Sequence, residues 1–271
     1  MRPINIMVAA SASLMSAYIL DNFHYSIIKL YTLLVVVFYT GAANAFNDYC
    51  DYEIDLINRP NRPLSRGLLN SNEALLFSII LFIVGSLVTL LLPLKATIVS
   101  VGLALPLIII YSLRLKGIPI IGNMVVSIIL GLSFIFFGLS HGNINPMIIP
   151  SILAFGLTML RELIKDIADI EGDKENNLKT LPIVIGEEKS IFVSYCFIFI
   201  IGFGSLMPYY FNIYGNYYLI LLIAGVEVPL VIIVYYFMKL PLTSSAKKSS
   251  NLLKFSTIAG LIAIFTDHYV S

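Results

Sequence analysis

Nine apolar runs follow one another along the chain, and they leave length for little else. They cover approximately 4–20, 27–46, 73–92, 96–113, 118–140, 147–164, 190–210, 216–238 and 251–267. Each is long enough to cross a hydrocarbon core, which takes about 20 apolar residues as a helix. Of the 271 residues 58% are hydrophobic and only 12% charged, about half the charged share of a soluble domain. A soluble fold of this size has too little polar surface to cover itself. Within lipid every backbone N–H and C=O must be satisfied internally, which favours helices. The expected architecture is an all-α membrane protein. About nine transmembrane helices surround one central cavity, with an internal pseudo-repeat, in a single domain over 1–271. Trp is absent, so Tyr and Phe supply the interfacial aromatics.

The charges test that count. With the N-terminus inside, successive loops alternate sides. Of the 17 Lys and Arg only Lys29 and Lys95 then fall outside. Such a bias fixes the orientation as N-terminus cytoplasmic and C-terminus outside. Arg2 precedes an apolar run with no small-residue cleavage site, so that run reads as the first helix and not as a signal peptide. The basic residues are spread among loops, which argues against nucleic acid as a partner. Cys50 and Cys196 lie far apart and form no metal-binding spacing. His24, His141 and His268 are scattered, and His141 in an outside loop reads as structural or solvated.

Acidic residues are concentrated in the two longest cytoplasmic connections. Asp48, Asp51 and Asp55 stand at i, i+3 and i+7, on one helical face. Asn44 lies one turn earlier on that face, and Glu53 points elsewhere. Asp166, Asp169 and Asp173 repeat the spacing, with Glu162 one turn earlier. Each triplet sits where an even-numbered span leaves the membrane. Arg62-Pro63-Leu64-Ser65-Arg66-Gly67 follows the first, and Thr180-Leu181-Pro182-Ile183-Val184-Ile185-Gly186 follows the second. The pattern reads as an internal duplication with two acidic helix ends facing one cavity.

Carboxylates at one-turn spacing repel each other and are costly beside a membrane. Six of them call for a cation. Oxygen ligands without Cys or His favour Mg²⁺, which takes few carboxylates and completes its shell with water and substrate phosphates. A diphosphate bridged by Mg²⁺ to both triplets balances the charge. One triplet alone reads equally well as a solvated helix end; a matched pair on one side does not. Ion transport is a further alternative, although its carboxylates usually lie near the midplane.

A diphosphate leaving group also needs donors and positive charge. Arg62 and Arg66 follow the first triplet. Tyr111, Ser112, Arg114 and Lys116 end the fourth span on the same side, and Arg161 and Lys165 precede the second triplet. Each base alone reads as a positive-inside anchor. Arg62, Arg66 and Lys116 gain weight from the neighbouring acids.

These motifs resemble the UbiA-type intramembrane prenyltransferases. The family's NDxxDxxxD pattern is matched by the run from Asn47 to Asp55, and its DxxxD by Asp169 and Asp173, with Asp166 in front. Its YSxxxK is matched by Tyr111, Ser112 and Lys116, and its RPxN by Arg2, Pro3 and Asn5. The resemblance covers the whole chain. Cys50 departs from the larger apolar residue expected there, off the acidic face. Within the family, Asn47–Pro63 and Arg161–Lys174 look most like the branch that builds archaeal ether lipids. The resemblance implies a geranylgeranyl diphosphate donor and geranylgeranylglyceryl phosphate as the lipid acceptor. It leaves relatives that prenylate aromatic rings as the alternative.

The expected site follows. Asp48, Asp51, Asp55, Asp166, Asp169 and Asp173 are catalytic, and Mg²⁺ is held by Asp48, Asp51, Asp169 and Asp173. Asn5, Asn47, Arg62, Arg66, Tyr111, Ser112, Arg114 and Lys116 bind substrate. Arg114, Arg161 and Lys165 are candidates for the acceptor phosphate. A CDP-alcohol phosphotransferase is disfavoured, because the chain has no DGxxAR-like core.

Overall fold

The structure is a computed structural model that describes residues 3–21, 26–58 and 60–270. Arg2, His24 and Arg59 of the sequence pattern lie outside the described residues. Among the described residues there is no strand, and nine helices are long and apolar enough to cross a membrane. They are α1 (Pro3–Asp21), α2 (Ile27–Cys50), α4 (Ser71–Thr89), α5 (Leu94–Leu115), α6 (Ile121–Ser140), α7 (Asn145–Ala168), α10 (Glu187–Tyr210), α11 (Asn216–Lys239) and α12 (Leu242–Val270). Three short helices lie between them: α3 (Tyr52–Asn58), α8 (Ile170–Glu175) and α9 (Leu181–Ile185). Phe199 is 74% exposed and Val231 69%. Apolar side chains this bare belong against lipid, where exposure carries no hydrophobic cost.

All nine expected spans are present. The last is corrected most. It was expected over 251–267, with the preceding lysines in a loop, yet the helix begins at Leu242. Pro241 suits a helix start. The Ser245 hydroxyl donates to Pro241 O at 3.1 Å and to Tyr236 O at 2.8 Å. Ser245, Ser249 and Ser256 are fully buried. Small polar side chains therefore carry a helix face that hydropathy alone reads as a loop.

The chain groups into two compact units. The first comprises Met1–Lys116 and Leu132–Met147, and the second comprises Gly117–Gly131 and Ile148–Ser271. In the first unit α2 packs along α4 and α1. The Tyr39 hydroxyl meets Ser86 Oγ at 2.9 Å, and its ring meets Phe82 edge-on at 5.9 Å. A Cβ on Gly85 would lie 2.7 Å from the Tyr39 ring, so the two helices approach closely only because that position is glycine.

In the second unit α11 packs against α12. A Cβ on Gly225 would lie 2.4 Å from the Ala259 Cβ. Tyr218 donates its hydroxyl to Ser205 O at 2.6 Å, and Ser205 donates to Glu227 Oε1 at 2.5 Å, which ties α10 to α11 by polar bonds inside the apolar layer. Asp267, 4% exposed, accepts the backbone N–H groups of Gly215 and Tyr218 at 2.8 and 3.1 Å. It thereby caps the N-terminus of α11 from the end of α12. In the connecting turn, burial and then the nearby Asp267 push the Tyr214 hydroxyl up to about 12.

Gly225→Ala is expected to separate α11 from α12 and cost about 1–3 kcal/mol. A lower unfolding temperature of the detergent-solubilised protein is the readout.

Candidate active site

Each aspartate triplet is built on the same local device. The α2 helix ends at Cys50, and Asp51 breaks the α conformation with φ −90° and ψ 8° before α3 begins. The hydrogen-bond ladder nevertheless runs on. The N–H of Asp51 donates to Asn47 O at 2.9 Å and that of Asp55 to Asp51 O at 2.8 Å. In the second unit α7 ends at Ala168, and Asp169 takes φ −103° and ψ 9° before α8. Its N–H donates to Lys165 O at 3.0 Å, and that of Asp173 to Asp169 O at 2.9 Å. In both units the middle aspartate is the junction residue and the outer two flank it a turn away. The chains that follow carry Gly67 and Gly186 at φ 69° and 87°, where glycine alone is unstrained. This shared backbone is structural support for the internal repeat.

The first triplet is closed by cations of its own unit. Arg62 Nη1 donates to Asp48 Oδ1 at 3.0 Å and also forms an ion pair with Asp55 Oδ2. Lys116 Nζ pairs with Asp51 Oδ2, the same oxygen that accepts from Asn47 Nδ2 at 2.7 Å. Asp51 and Asp55 are 5% and 6% exposed, so these cations offset a charge that burial would otherwise make costly. Asn5 Nδ2 donates to Asn44 Oδ1 at 3.4 Å, one turn ahead of Asp48. The Asn44 amide nitrogen is buried without a partner. Arg66 and Arg114 are exposed, and Arg62 rather than Arg66 makes the ion pairs.

Lys116 reaches Asp51 through a wider turn. Tyr111–Leu115 is π-helical, and the N–H of Lys116 donates to Tyr111 O at 3.1 Å, five residues back rather than four. Such turns are frequent at functional sites. Ser112 is buried and Tyr111 half-buried in the same turn.

The second triplet has different neighbours. Asn123 Nδ2, near the start of α6, donates to Asp166 Oδ2 at 2.8 Å. Sequence reading missed Asn123; its signal was an amide set near the mouth of an apolar helix. Glu162, 6% exposed, pairs with Arg161 Nη1 at 3.1 Å and Lys165 Nζ at 3.0 Å. Two of the three candidates for the acceptor phosphate, Arg161 and Lys165, thus share an internal carboxylate. Asp169 and Asp173 are half-buried.

Among the described residues no three His, Cys, Asp or Glu side chains converge to hold a metal ion. The donor set is nonetheless one of oxygens alone. In the first triplet those oxygens are bound by exchangeable ammonium and guanidinium groups, which suits a hard cation such as Mg²⁺.

Residues 6–258 match the UbiA prenyltransferase family, and the chain belongs to that family of membrane enzymes. Its similarity extends to particular members. It is 39% identical over 264 residues to the digeranylgeranylglyceryl phosphate synthase of Methanosphaera stadtmanae, covering 97% of this chain and 94% of that protein. It is 37% identical to the Thermococcus sibiricus enzyme of the same name, covering 98% and 93%. A solved structure of a digeranylgeranylglyceryl phosphate synthase in membranes superposes with a TM-score of 0.80 at 31% identity, covering 98% of this chain and 97% of that one. A UbiA homologue from Archaeoglobus fulgidus, solved with DMAPP and Mg²⁺, shares the fold with a TM-score of 0.68 at 19% identity, covering 96% and 99%.

Arg62→Ala should leave Asp55 and Asp48 without their shared cation and lower stability by about 3 kcal/mol. Arg66→Ala should stay within about 0.5 kcal/mol of the wild type. Thermal unfolding of both variants in detergent distinguishes the two arginines.

Proposed function

We propose that the chain transfers a geranylgeranyl group from its diphosphate to the hydroxyl of geranylgeranylglyceryl phosphate, forming the second ether bond of archaeal membrane lipids. The observation that carries this reading is the near full-length similarity to enzymes of that name, joined to two aspartate triplets on matched helix junctions. The whole of 1–271 acts as one catalytic domain. The site opens to the cytoplasm, with the N-terminus inside and the C-terminus outside, in keeping with the Lys and Arg bias.

Asp48, Asp51, Asp169 and Asp173 would hold Mg²⁺, and Asp55 and Asp166 complete the two acidic sets. Bound there, the metal would supply charge neutralisation for the departing diphosphate. Arg62 and Lys116 donate charge-assisted bonds to diphosphate oxygens, assisted by Tyr111, Ser112 and Asn47. Arg66 and Arg114 add positive charge at the mouth, and Asn5 braces Asn44 behind the first triplet. As the allylic C–O bond breaks, the carbon becomes cationic and the acceptor oxygen attacks it. An alcohol is a weak nucleophile at neutral pH, so the electrophile drives the step and the proton leaves late to a carboxylate or water. The apolar helices exclude bulk water that would quench the cation. Arg114, Arg161 and Lys165 are the candidates for the acceptor phosphate.

Purified protein supplied with geranylgeranyl diphosphate, Mg²⁺ and geranylgeranylglyceryl phosphate should release diphosphate and form a diether. EDTA should abolish the product. Asp51→Ala and Asp169→Ala should each lose activity by roughly 100-fold or more while unfolding cooperatively. Full turnover by either variant would defeat the metal assignment. Product with 4-hydroxybenzoate in place of the lipid would move the acceptor to an aromatic ring. Ion flux in proteoliposomes without diphosphate release would favour a transporter.

A further inference from the structure

We propose that Lys116 and Arg62 are built-in counter-cations that keep free Mg²⁺ off the first aspartate triplet and yield to a diphosphate, so that metal and donor bind only together. The inference rests on the metal–diphosphate reading above and adds an order to it.

Three facts carry it. Lys116 and Asn47 converge on a single oxygen, Asp51 Oδ2, of a residue that is 5% exposed. One nitrogen of Arg62 serves Asp48 and Asp55 together. The two cations are themselves largely covered, with side chains 29% and 16% exposed. The three carboxylates are thus already faced by two cations of the protein rather than held open.

For Asp48 and Asp51 to accept a divalent ion, Arg62 and Lys116 must let go. Without an anion to receive them, both would remain beside the new charge in a poorly solvated place, where like charges repel strongly. A diphosphate supplies that anion. The guanidinium of Arg62 is shaped to grip phosphate oxygens, and the Lys116 ammonium swings on a flexible stem. Both cations then pass from carboxylate to diphosphate, and the freed carboxylates turn to the metal. Linkage makes the effect mutual: whatever the donor adds to metal affinity, the metal adds to donor affinity. The enzyme would thereby ignore free Mg²⁺ and avoid charging its site before a prenyl donor arrives.

The test titrates the full-length protein in detergent with Mn²⁺ alone, followed by electron paramagnetic resonance. Wild type is expected to bind Mn²⁺ weakly and Lys116→Gln roughly tenfold more tightly, while Lys116→Arg, which keeps the charge, stays near wild type. In a second arm a radiolabelled thio-analogue of geranylgeranyl diphosphate should bind wild type roughly tenfold more tightly with Mn²⁺ than without, and Lys116→Gln should show a smaller gain. Should Lys116→Gln fail to fold, Arg62→Gln carries the same titration. Tight Mn²⁺ binding by the wild type alone, or no tightening in the variant while the wild-type gain persists, overturns the counter-cation role and leaves the metal–diphosphate reading standing. Absence of any gain in the wild type overturns both.

Discussion

Carboxylates spaced one turn apart at the end of an apolar helix create a charge problem that the surrounding structure must answer. Asp51 and Asp55 are almost wholly buried, so water cannot answer it. The first unit does so with cations drawn from well separated parts of the sequence. Arg62 comes from the turn after α3, and Lys116 from the end of α5. Each has to be delivered by a specific backbone feature. The tight turn ending at Gly67 bends the chain back past Arg62, closing Arg66 N–H onto Arg62 O at 2.9 Å. The π turn at Tyr111–Leu115 sets the position of Lys116. Loops that look like connectors are therefore parts of the site.

Most of the fold was legible because lipid leaves a chain few options. Nine apolar stretches became nine membrane-length helices among the described residues, and the end positions were right to a few residues except at α12. There the helix start is carried by Ser245, Ser249 and their buried contacts, which a hydropathy window scores as polar. The aspartate triplets were legible from helical spacing, and the structure adds what spacing cannot express, a conformational break at Asp51 and Asp169 that still keeps the ladder. The π turn was invisible, since a 3.6-residue period assumes it away. Asn123 and Asp267 were missed for a common reason. Each sits near one end of a membrane helix, and its partner lies 43 or 52 residues away in sequence. No local pattern marks such a pairing.

The polar bonds inside the second unit show how such residues stay in the membrane. Glu227 lies in the π-helical stretch Ile223–Glu227 of α11 and takes a hydrogen bond from Ser205. Gly202 leaves it room, because a Cβ there would stand 3.1 Å from its Oε2. Ser205 in turn accepts from Tyr218 through its backbone. The Ser205 hydroxyl thus satisfies the Glu227 carboxyl, and the Ser205 carbonyl satisfies the Tyr218 phenol, between α10 and α11, where an unpaired polar group would be costly. Asp267 does the same for the backbone at the start of α11.

The two triplets share a backbone and differ in their company. Both place an aspartate at a helix break with ψ near 8–9° and a glycine of positive φ downstream. Yet Asp48, Asp51 and Asp55 are met by full cations, whereas Asp166 is met by the neutral amide of Asn123. Arg161 and Lys165, which precede the second triplet, are bound to Glu162. Duplication would have delivered two equal sites, so the side-chain partners have diverged while the helix junction has not. That order makes physical sense. The junction fixes where three carboxylates point, and altering it moves all of them at once. A partner such as Asn123 or Lys116 tunes the charge on one carboxylate and leaves the other two in place.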